Sequence, residues 1–303
     1  MIAIVTTGGT IGMEKGLPSM GGFEGLGAEV IGFANEPSPF FDSGFAARLA
    51  AFLQTLLGRF DGVVVTHGTD TLEETAFYLD LVLSPDFPVV LTGAIHMKDE
   101  PAYDGIGNLK TAIIAAQTLG GGVYAAFDHD VFAGRYVVKT SPVSRRAFSS
   151  IKTGRLGAVV NGKLIRYFDL PARKTRLENR PGRGVALIKA HYDLQAGLIE
   201  PMMQKAKAVV FEGFGGGRIP RAAVDLVVKT AREKPLVLCG GVSEGYSGDG
   251  YAYEGSGGWF EAQKIPVIFS LADAKKSAIA LGLCLGNNLD AAAIGRFFAD
   301  EVY

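Results

Sequence analysis

The sequence predicts an α/β protein of two domains. The larger, N-terminal domain is built on a mainly parallel sheet with flanking helices, and the smaller, C-terminal domain is also α/β. Three observations predict this. Short β-branched runs such as Ile2-Ala3-Ile4-Val5 and Val63-Val64-Val65 alternate with stretches at helical spacing, the mark of strands buried on both faces. The runs end in polar turns, and Gly is abundant at 41 residues, as tight strand-to-helix turns require. A charged stretch carrying Pro171 and Pro181 interrupts the rhythm before it restarts. The expected boundaries are 1–170 for the first domain, 171–183 for a linker and 184–303 for the second domain.

In chain order, Ile2 to Thr6 is the first strand, and it runs into the Gly-rich turn Thr7-Gly8-Gly9-Thr10-Ile11-Gly12. Residues 13–43 carry many Gly and Pro with little periodicity and read as a long loop. Phe45 to Leu57 places Phe45, Leu49, Phe52, Leu53 and Leu56 on one helical face. Asp61 to Val65 is the next strand. A helix from Thr71 to Leu83 follows, its start marked by Thr71 and Glu74 in capping-box spacing. Pro88 to Leu91 is a strand, Asn108 to Leu119 a helix and Val123 to Phe127 a strand. Val131 to Lys139 and Gly157 to Arg166 read as strand pairs, with Asn161-Gly162 as a hairpin turn. Beyond the linker, strands are expected at Val185 to Ile188, Ala208 to Phe211, Leu236 to Leu238 and Val267 to Phe269. Helices are expected near 195–206, 220–232, 273–283 and 289–299.

Composition narrows the function. Thirty Lys and Arg nearly cancel 31 Asp and Glu, so no global charge draws the chain to nucleic acid or an anionic membrane. No apolar run reaches the length of a membrane span. The N-terminus shows no basic flank or signal-peptide pattern, so a cytoplasmic protein is expected. Cys239 and Cys284 sit in apolar surroundings and read as reduced core residues. The four histidines are dispersed, without metal-ligand spacing. Gly157, Gly162 and Lys163 begin like a phosphate-binding loop, but Leu164 stands where Ser or Thr is needed and the segment reads as a hairpin.

Two Thr-rich turns remain. Thr10 follows the first strand, and Thr66, His67, Gly68, Thr69 and Asp70 follow the Val63–Val65 strand. Each turn alone could simply start a helix. Together they place hydroxyls and a carboxylate on the carboxyl edge of one parallel sheet, where open α/β sheets bind ligands. Helix-start N–H groups at that edge suit carboxylates and developing oxyanions. A hydroxyl there attacks a carbonyl only if a base removes its proton. Lys139 could be that base if burial and neighbours lowered its pKa.

Thr6 to Gly12 (TTGGTIG) and Thr66 to Ala76 (THGTDTLEETA) resemble the two hallmark motifs of the bacterial-type L-asparaginases. Pro88 to Ala94, Asp104-Gly-x-Gly-Asn108 and Lys139-Thr140 resemble further family features, and the likeness is strongest over residues 1–168. The resemblance implies a Thr10 nucleophile, with Thr69, Asp70 and Lys139 as a second catalytic group in the same site. It implies that Ser38 holds a substrate carboxylate, that Asp70 also binds the substrate ammonium, and that Gly9, Gly68 and Ala94 help to line the substrate. It implies a small amide substrate, no metal or other cofactor, and a homodimer or homotetramer in which a neighbouring subunit completes each site.

The sequence departs from the family pattern at three places. The mobile loop after the first motif usually carries a Tyr. Here it holds Phe23 and the carboxylates Glu14, Glu24, Glu29 and Glu36, and the first Tyr of the chain is Tyr78. Ile95-His96 stands where an Arg is common after Ala94, and Arg218 follows a Gly-rich turn that often carries Asn. His96 and Arg218 are therefore either exposed loop residues or determinants of substrate preference. Tyr246, Tyr251 and Tyr253 line a pocket or are plain loop aromatics, and Glu244 and Glu254 are the candidates for an acidic residue given to a neighbouring subunit.

Overall fold

A computed structural model describes residues 1–14, 17–18, 25–83, 86–150, 152–171, 173–241, 248 and 250–301. Phe23, Glu24, Glu244 and Tyr246 lie outside those residues, as does the side chain of Glu14. The chain divides into two compact units, Met1–Ala172 and Arg173–Tyr303.

The first unit contains β1 (Ile2–Thr6), β2 (Met13–Glu14), β3 (Leu17–Pro18), β4 (Ala28–Gly32), α1 (Ser43–Gln54), β5 (Gly62–Thr66), α2 (Leu72–Val82) and β6 (Pro88–Thr92). It continues with α3 (Gly105–Thr118), β7 (Gly122–Phe127), β8 (Asp130–Ala133), β9 (Val137–Lys139), β10 (Phe148–Ser150), β11 (Gly157–Val160) and β12 (Lys163–Arg166). Its main sheet has the order β12-β11-β8-β7-β6-β5-β1-β4. The five strands from β4 to β7 run parallel, and β8, β11 and β12 continue the sheet antiparallel. Every residue of β1, β5 and β6 is buried, which is why these strands read as continuous apolar runs. Helix α3 packs Leu109, Ala112 and Ala116 against Ile4, Val64, Val90 and Tyr124. Leu53 of α1, Leu57 just beyond it, Val82 at the end of α2 and Val89 line one cavity.

The parallel register sets the sheet edge. Thr6 lies beside Thr66 and Thr66 beside Thr92, so the turns after β1, β5 and β6 leave the sheet at one level. The antiparallel end is made by two tight hairpins. Asp128 and His129 turn β7 into β8 at φ +45° and +69°, and Asn161 and Gly162 turn β11 into β12 at φ +51° and +74°.

Three expectations need correction. Residues 13–43 are not one loop, because Ala28–Gly32 forms the parallel edge strand β4. As an edge strand it is largely exposed, so it carries no apolar run to announce it. Val131 to Lys139 holds two strands that do not pair with each other: β8 ends at Ala133, Gly134 donates its N–H to the Val123 carbonyl at 2.8 Å, and Tyr136 closes a turn onto Ala133. The chain then leaves the main sheet, and β9 pairs with β10 in a separate ribbon. Finally, Thr71 and Glu74 form no capping box. The Thr71 side chain caps no helical N–H, and its hydroxyl donates instead to the Ser38 carbonyl at 2.9 Å.

The second unit contains β13 (Val185–Lys189), α4 (Ala196–Lys205), β14 (Ala208–Gly213), α5 (Val224–Glu233), β15 (Leu236–Gly240), α6 (Gly257–Ala262), β16 (Ile268–Ser270), α7 (Ala274–Gly286) and α8 (Ala291–Glu301). Its four strands run parallel in chain order. One core gathers Ile199 and Met203 of α4, Val224 and Val227 of α5, Phe211 and Phe260. The short helix α6, opening on two glycines, was not legible from periodicity. Cys239 and Cys284 are buried free thiols. Burial pushes the Cys284 thiol up to about 12 and raises that of Cys239 further, so both behave as core residues.

Candidate active site

The turns after β1 and β5 are held against each other by glycines. Gly9 has φ +88°, and a Cβ built there would lie 2.6 Å from the Cα and N of Gly68. Gly8, at φ +104°, faces the backbone of Glu36 in the same way, and a Cβ on Gly68 would fall 2.6 Å from the Ser38 hydroxyl oxygen. At Gly8 and Gly9 chain segments meet through bare backbone, and at Gly68 the backbone takes the Ser38 side chain in close contact. Hydrogen bonds complete the junction. The N–H and hydroxyl of Thr7 donate to the Thr66 carbonyl at 3.1 and 2.9 Å, and His67 N–H donates to Thr92 at 2.8 Å. Glu36 N–H donates to Thr7 at 3.2 Å.

Thr10 opens a single 3-10 turn, Thr10–Gly12, and is half-buried. From the other side the Tyr103 hydroxyl donates to the Ile11 carbonyl at 2.9 Å. Burial, and then the Asp104 carboxylate, raise the Tyr103 pKa above the usual phenol range, so Tyr103 stays a donor. Asp104 in turn accepts the backbone N–H groups of Ile95 and His96 at 3.0–3.2 Å. Asn108 donates to Gly93 at 2.9 Å and to Asp104 at 2.8 Å. Ala94, which follows β6, is buried at the edge of this framework.

Lys139 comes to the Thr69 turn from β9. Its ammonium donates to Thr69 Oγ1 at 2.9 Å and to Asp70 Oδ1 at 2.6 Å. Thr69 is buried and the Lys139 side chain 16% exposed, whereas the Asp70 side chain is 61% exposed. One amine thus links a buried hydroxyl to a carboxylate open to solvent.

His67 is the buried neighbour in this turn. Burial lowers its pKa to about 4, against a raising contribution from the Gly68 carbonyl. Nδ1 lies 2.7 Å from that carbonyl and Nε2 3.0 Å from the Thr75 hydroxyl. A proton on Nδ1 satisfies both contacts, leaving Nε2 to accept from Thr75. The ring sits edge-on to Phe41. His67 is therefore a neutral, fully engaged packing residue.

Of the residues singled out from sequence, the structure brings together Gly9, Ser38, Gly68, Thr69, Asp70 and Lys139, with Thr10 next to Gly9. His96 lies in the loop after Ala94, where its Nδ1 meets Glu100 at 2.9 Å. Glu29 lies on β4 and reaches Arg59 at 3.9 Å. Glu36 is exposed. Arg218 belongs to the second unit, where its guanidinium lies over the Tyr251 ring at 5.0 Å. There Tyr253 sits beside Tyr251, and Glu254 reaches Arg221 at 4.0 Å. Sequence reasoning missed Tyr103 and the buried carboxylates Glu73 and Asp80. Asp80 left a signal, because a carboxylate within the apolar run Ala76–Val82 must find a partner.

A compact α/β unit with threonines on its sheet edge and a lysine held to one of them is the frame of a hydrolytic enzyme. Comparison with known proteins narrows the class. Residues 1–172 match the family model described as asparaginase, N-terminal, and residues 184–298 match that of the glutaminase/asparaginase C-terminal domain. The chain is 33% identical over 323 aligned positions to a probable L-asparaginase of Deinococcus radiodurans, covering 100% of this chain and 98% of that protein. Its fold is similar to the thermostable L-asparaginase from Thermococcus kodakarensis, with a TM-score of 0.88 at 26% identity over 100% of this chain and 99% of that one. It is also similar to a probable cytoplasmic L-asparaginase from Campylobacter jejuni, with a TM-score of 0.85 at 25% identity and 99% coverage of both chains. The chain belongs to the asparaginase family of amidohydrolases. Among the described residues, no helix is long and apolar enough to cross a membrane.

Proposed function

We propose that this protein hydrolyses the side-chain amide of L-asparagine to aspartate and ammonia, with Thr10 as nucleophile. The Thr10 hydroxyl adds to the amide carbon, ammonia leaves with the transferred proton, and an ester to Thr10 remains. Water then cleaves the ester, releasing the acid and restoring the hydroxyl. Lys139 and Thr69 manage the proton transfers, and backbone N–H groups at the sheet edge stabilise the oxyanion. Asp70 binds the substrate ammonium and Ser38 its α-carboxylate, with Gly9, Gly68 and Ala94 lining the substrate.

The observation that carries this reading is the Lys139 contact to both Thr69 and Asp70, in a turn packed on the Thr10 turn through Gly9 and Gly68. The test is ammonia release from L- and D-asparagine, L- and D-glutamine and small carboxamides, with Thr10→Ala and Thr69→Ala alongside. L-Asparagine is expected to be the best substrate, and Thr10→Ala to lose at least about 10³-fold in kcat. No ammonia from any amide refutes the activity, and full activity of Thr10→Ala refutes the nucleophile. A preference for glutamine or a D-amide would move the assignment to His96 and Arg218 as specificity residues.

The same proposal takes the working form to be a cytoplasmic homodimer or homotetramer whose sites a neighbouring subunit completes. Light scattering on the eluted protein checks the assembly, and a monomer with full activity counts against it.

A further inference from the structure

Lys139 reaches Thr69 and Asp70 from outside the main sheet. Its strand, β9, pairs with β10 alone among the described strands, and a two-stranded ribbon is marginal by itself. A lysine ammonium ends a flexible four-carbon stem. Its position is therefore no better defined than the backbone that carries it.

Helix α2, which packs on β9, presents two buried carboxylates to this segment. Glu73 is 3% exposed and Asp80 is 2% exposed. They stand seven residues apart, about two turns, and so share one helical face. The Glu73 carboxylate accepts the backbone N–H of Lys139 itself. Asp80 meets the Arg135 guanidinium twice, Nε to Oδ2 at 3.2 Å and Nη2 to Oδ1 at 3.3 Å, with both side chains at least nine-tenths buried. Val137, between the two ties, is fully buried. Both ends of the 135–139 segment are thus fastened to one helix, and the turn that opens this helix carries Thr69 and Asp70.

We infer that Glu73 is a positioning residue for Lys139, with the Asp80–Arg135 pair as its counterpart at the other end of the strand. Helix α2 holds the hydroxyl, the carboxylate and the ammonium as one rigid body. Glu73 acts on the reaction through the Lys139 backbone and touches no substrate. The kinetic side of this inference rests on the amide hydrolysis proposed above, and its geometric side does not.

The experiment uses the full chain with Glu73→Ala, Glu73→Gln and Glu73→Asp, each checked for folding by circular dichroism and thermal melting. The first readout is acetylation of the Lys139 amine by acetic anhydride, followed by mass spectrometry relative to the exposed Lys163. The second is kcat and KM for ammonia release. In Glu73→Ala, Lys139 is expected to acetylate several-fold faster. Its kcat is expected to fall about 30- to 100-fold with KM within about threefold, the size of effect that a displacement of about 1 Å produces. Glu73→Gln keeps an acceptor for the N–H and recovers most of the loss. Glu73→Asp retracts the acceptor by one methylene and loses about tenfold in kcat. Unchanged Lys139 reactivity in Glu73→Ala overturns the inference, as does an equal loss in the Ala and Gln variants. If Glu73→Ala does not fold, parent-like reactivity and kcat in Glu73→Asp overturn it. If the parent releases no ammonia, the proposed function fails while the acetylation rates still judge the clamp.

Discussion

The two threonine-bearing turns are built to different standards. Thr69 and Asp70 lead into an eleven-residue helix in which every residue but Glu74 is buried, and the segment that carries their partner lysine is tied to that helix at two points, Lys139 to Glu73 and Arg135 to Asp80. Thr10 opens a three-residue 3-10 turn. Its ties are backbone contacts at Gly8 and Gly9, the hydrogen bonds of Thr7 with Thr66 and Glu36, and one hydroxyl, Tyr103, on the Ile11 carbonyl. The charged group is thus set in a packed framework, and the proposed nucleophile stands on a short element registered by close backbone approach. The lesson is that steric fit at Gly9, added to hydrogen bonds, does for one turn what a buried ion pair and hydrogen bonds do for the other.

The largest expected effect comes from breaking that steric fit. Gly9→Ala must place a Cβ at φ +88° within 2.6 Å of the Gly68 backbone. A loss of about 3 kcal/mol in stability and about 10³-fold in kcat is expected, read by denaturant unfolding and ammonia release. Parent-like values would mean that the turns do not depend on backbone contact.

Next comes the pH response of the Thr69 side. The folded-state pKa of His67 lies at about 4, below the ordinary 6.5. Between those values the unfolded chain binds a proton that the folded chain does not, so stability falls as pH drops from about 6.5 towards 4. The contribution is roughly 3 kcal/mol at most. Denaturant midpoints at pH 7 and pH 4.5 should fall more steeply for the parent than for His67→Gln. Parallel slopes would remove His67 from the account.

The smallest effect sharpens the Thr10 side. Tyr103→Phe keeps the ring and removes one hydrogen bond. It is expected to cost about 1 kcal/mol of stability and about fivefold in kcat, measured by thermal melting and steady-state kinetics. An unchanged kcat would leave the glycine contacts and the Thr7 hydrogen bonds as the anchors of that turn.

Much of this arrangement is legible in the sequence, and the rest is hidden for physical reasons. The strands β1, β5 and β6 are buried on both faces, so their apolar runs stand out. Thr10, Thr69 and Asp70 can be placed because each directly follows such a run. The edge strand β4 lacks that signal because it is largely exposed. The parting of β8 and β9 is hidden because Val131–Ala133 and Val137–Lys139, so close in the chain, read as a pair, though they belong to different sheets. Glu73 looks like an ordinary helix-start acid, and only the fold shows that the Lys139 N–H waits for it. Likewise nothing in the local sequence around Tyr103 announces that its hydroxyl reaches Ile11.

The ribbon that carries Lys139 also bears on how the site comes into being. Thr69 and Lys139 are 70 residues apart in the chain, and Tyr103 and Ile11 are 92 apart. Contacts of such long sequence separation form late and slowly, after local strand–helix units. The βαβ unit β5–α2–β6 can form while the ribbon is still unplaced, and docking of β9 on α2 is then the step that completes the group. Refolding followed by backbone signals should therefore run ahead of the return of activity. During synthesis, the threonine turns exist well before the chain has supplied their ammonium.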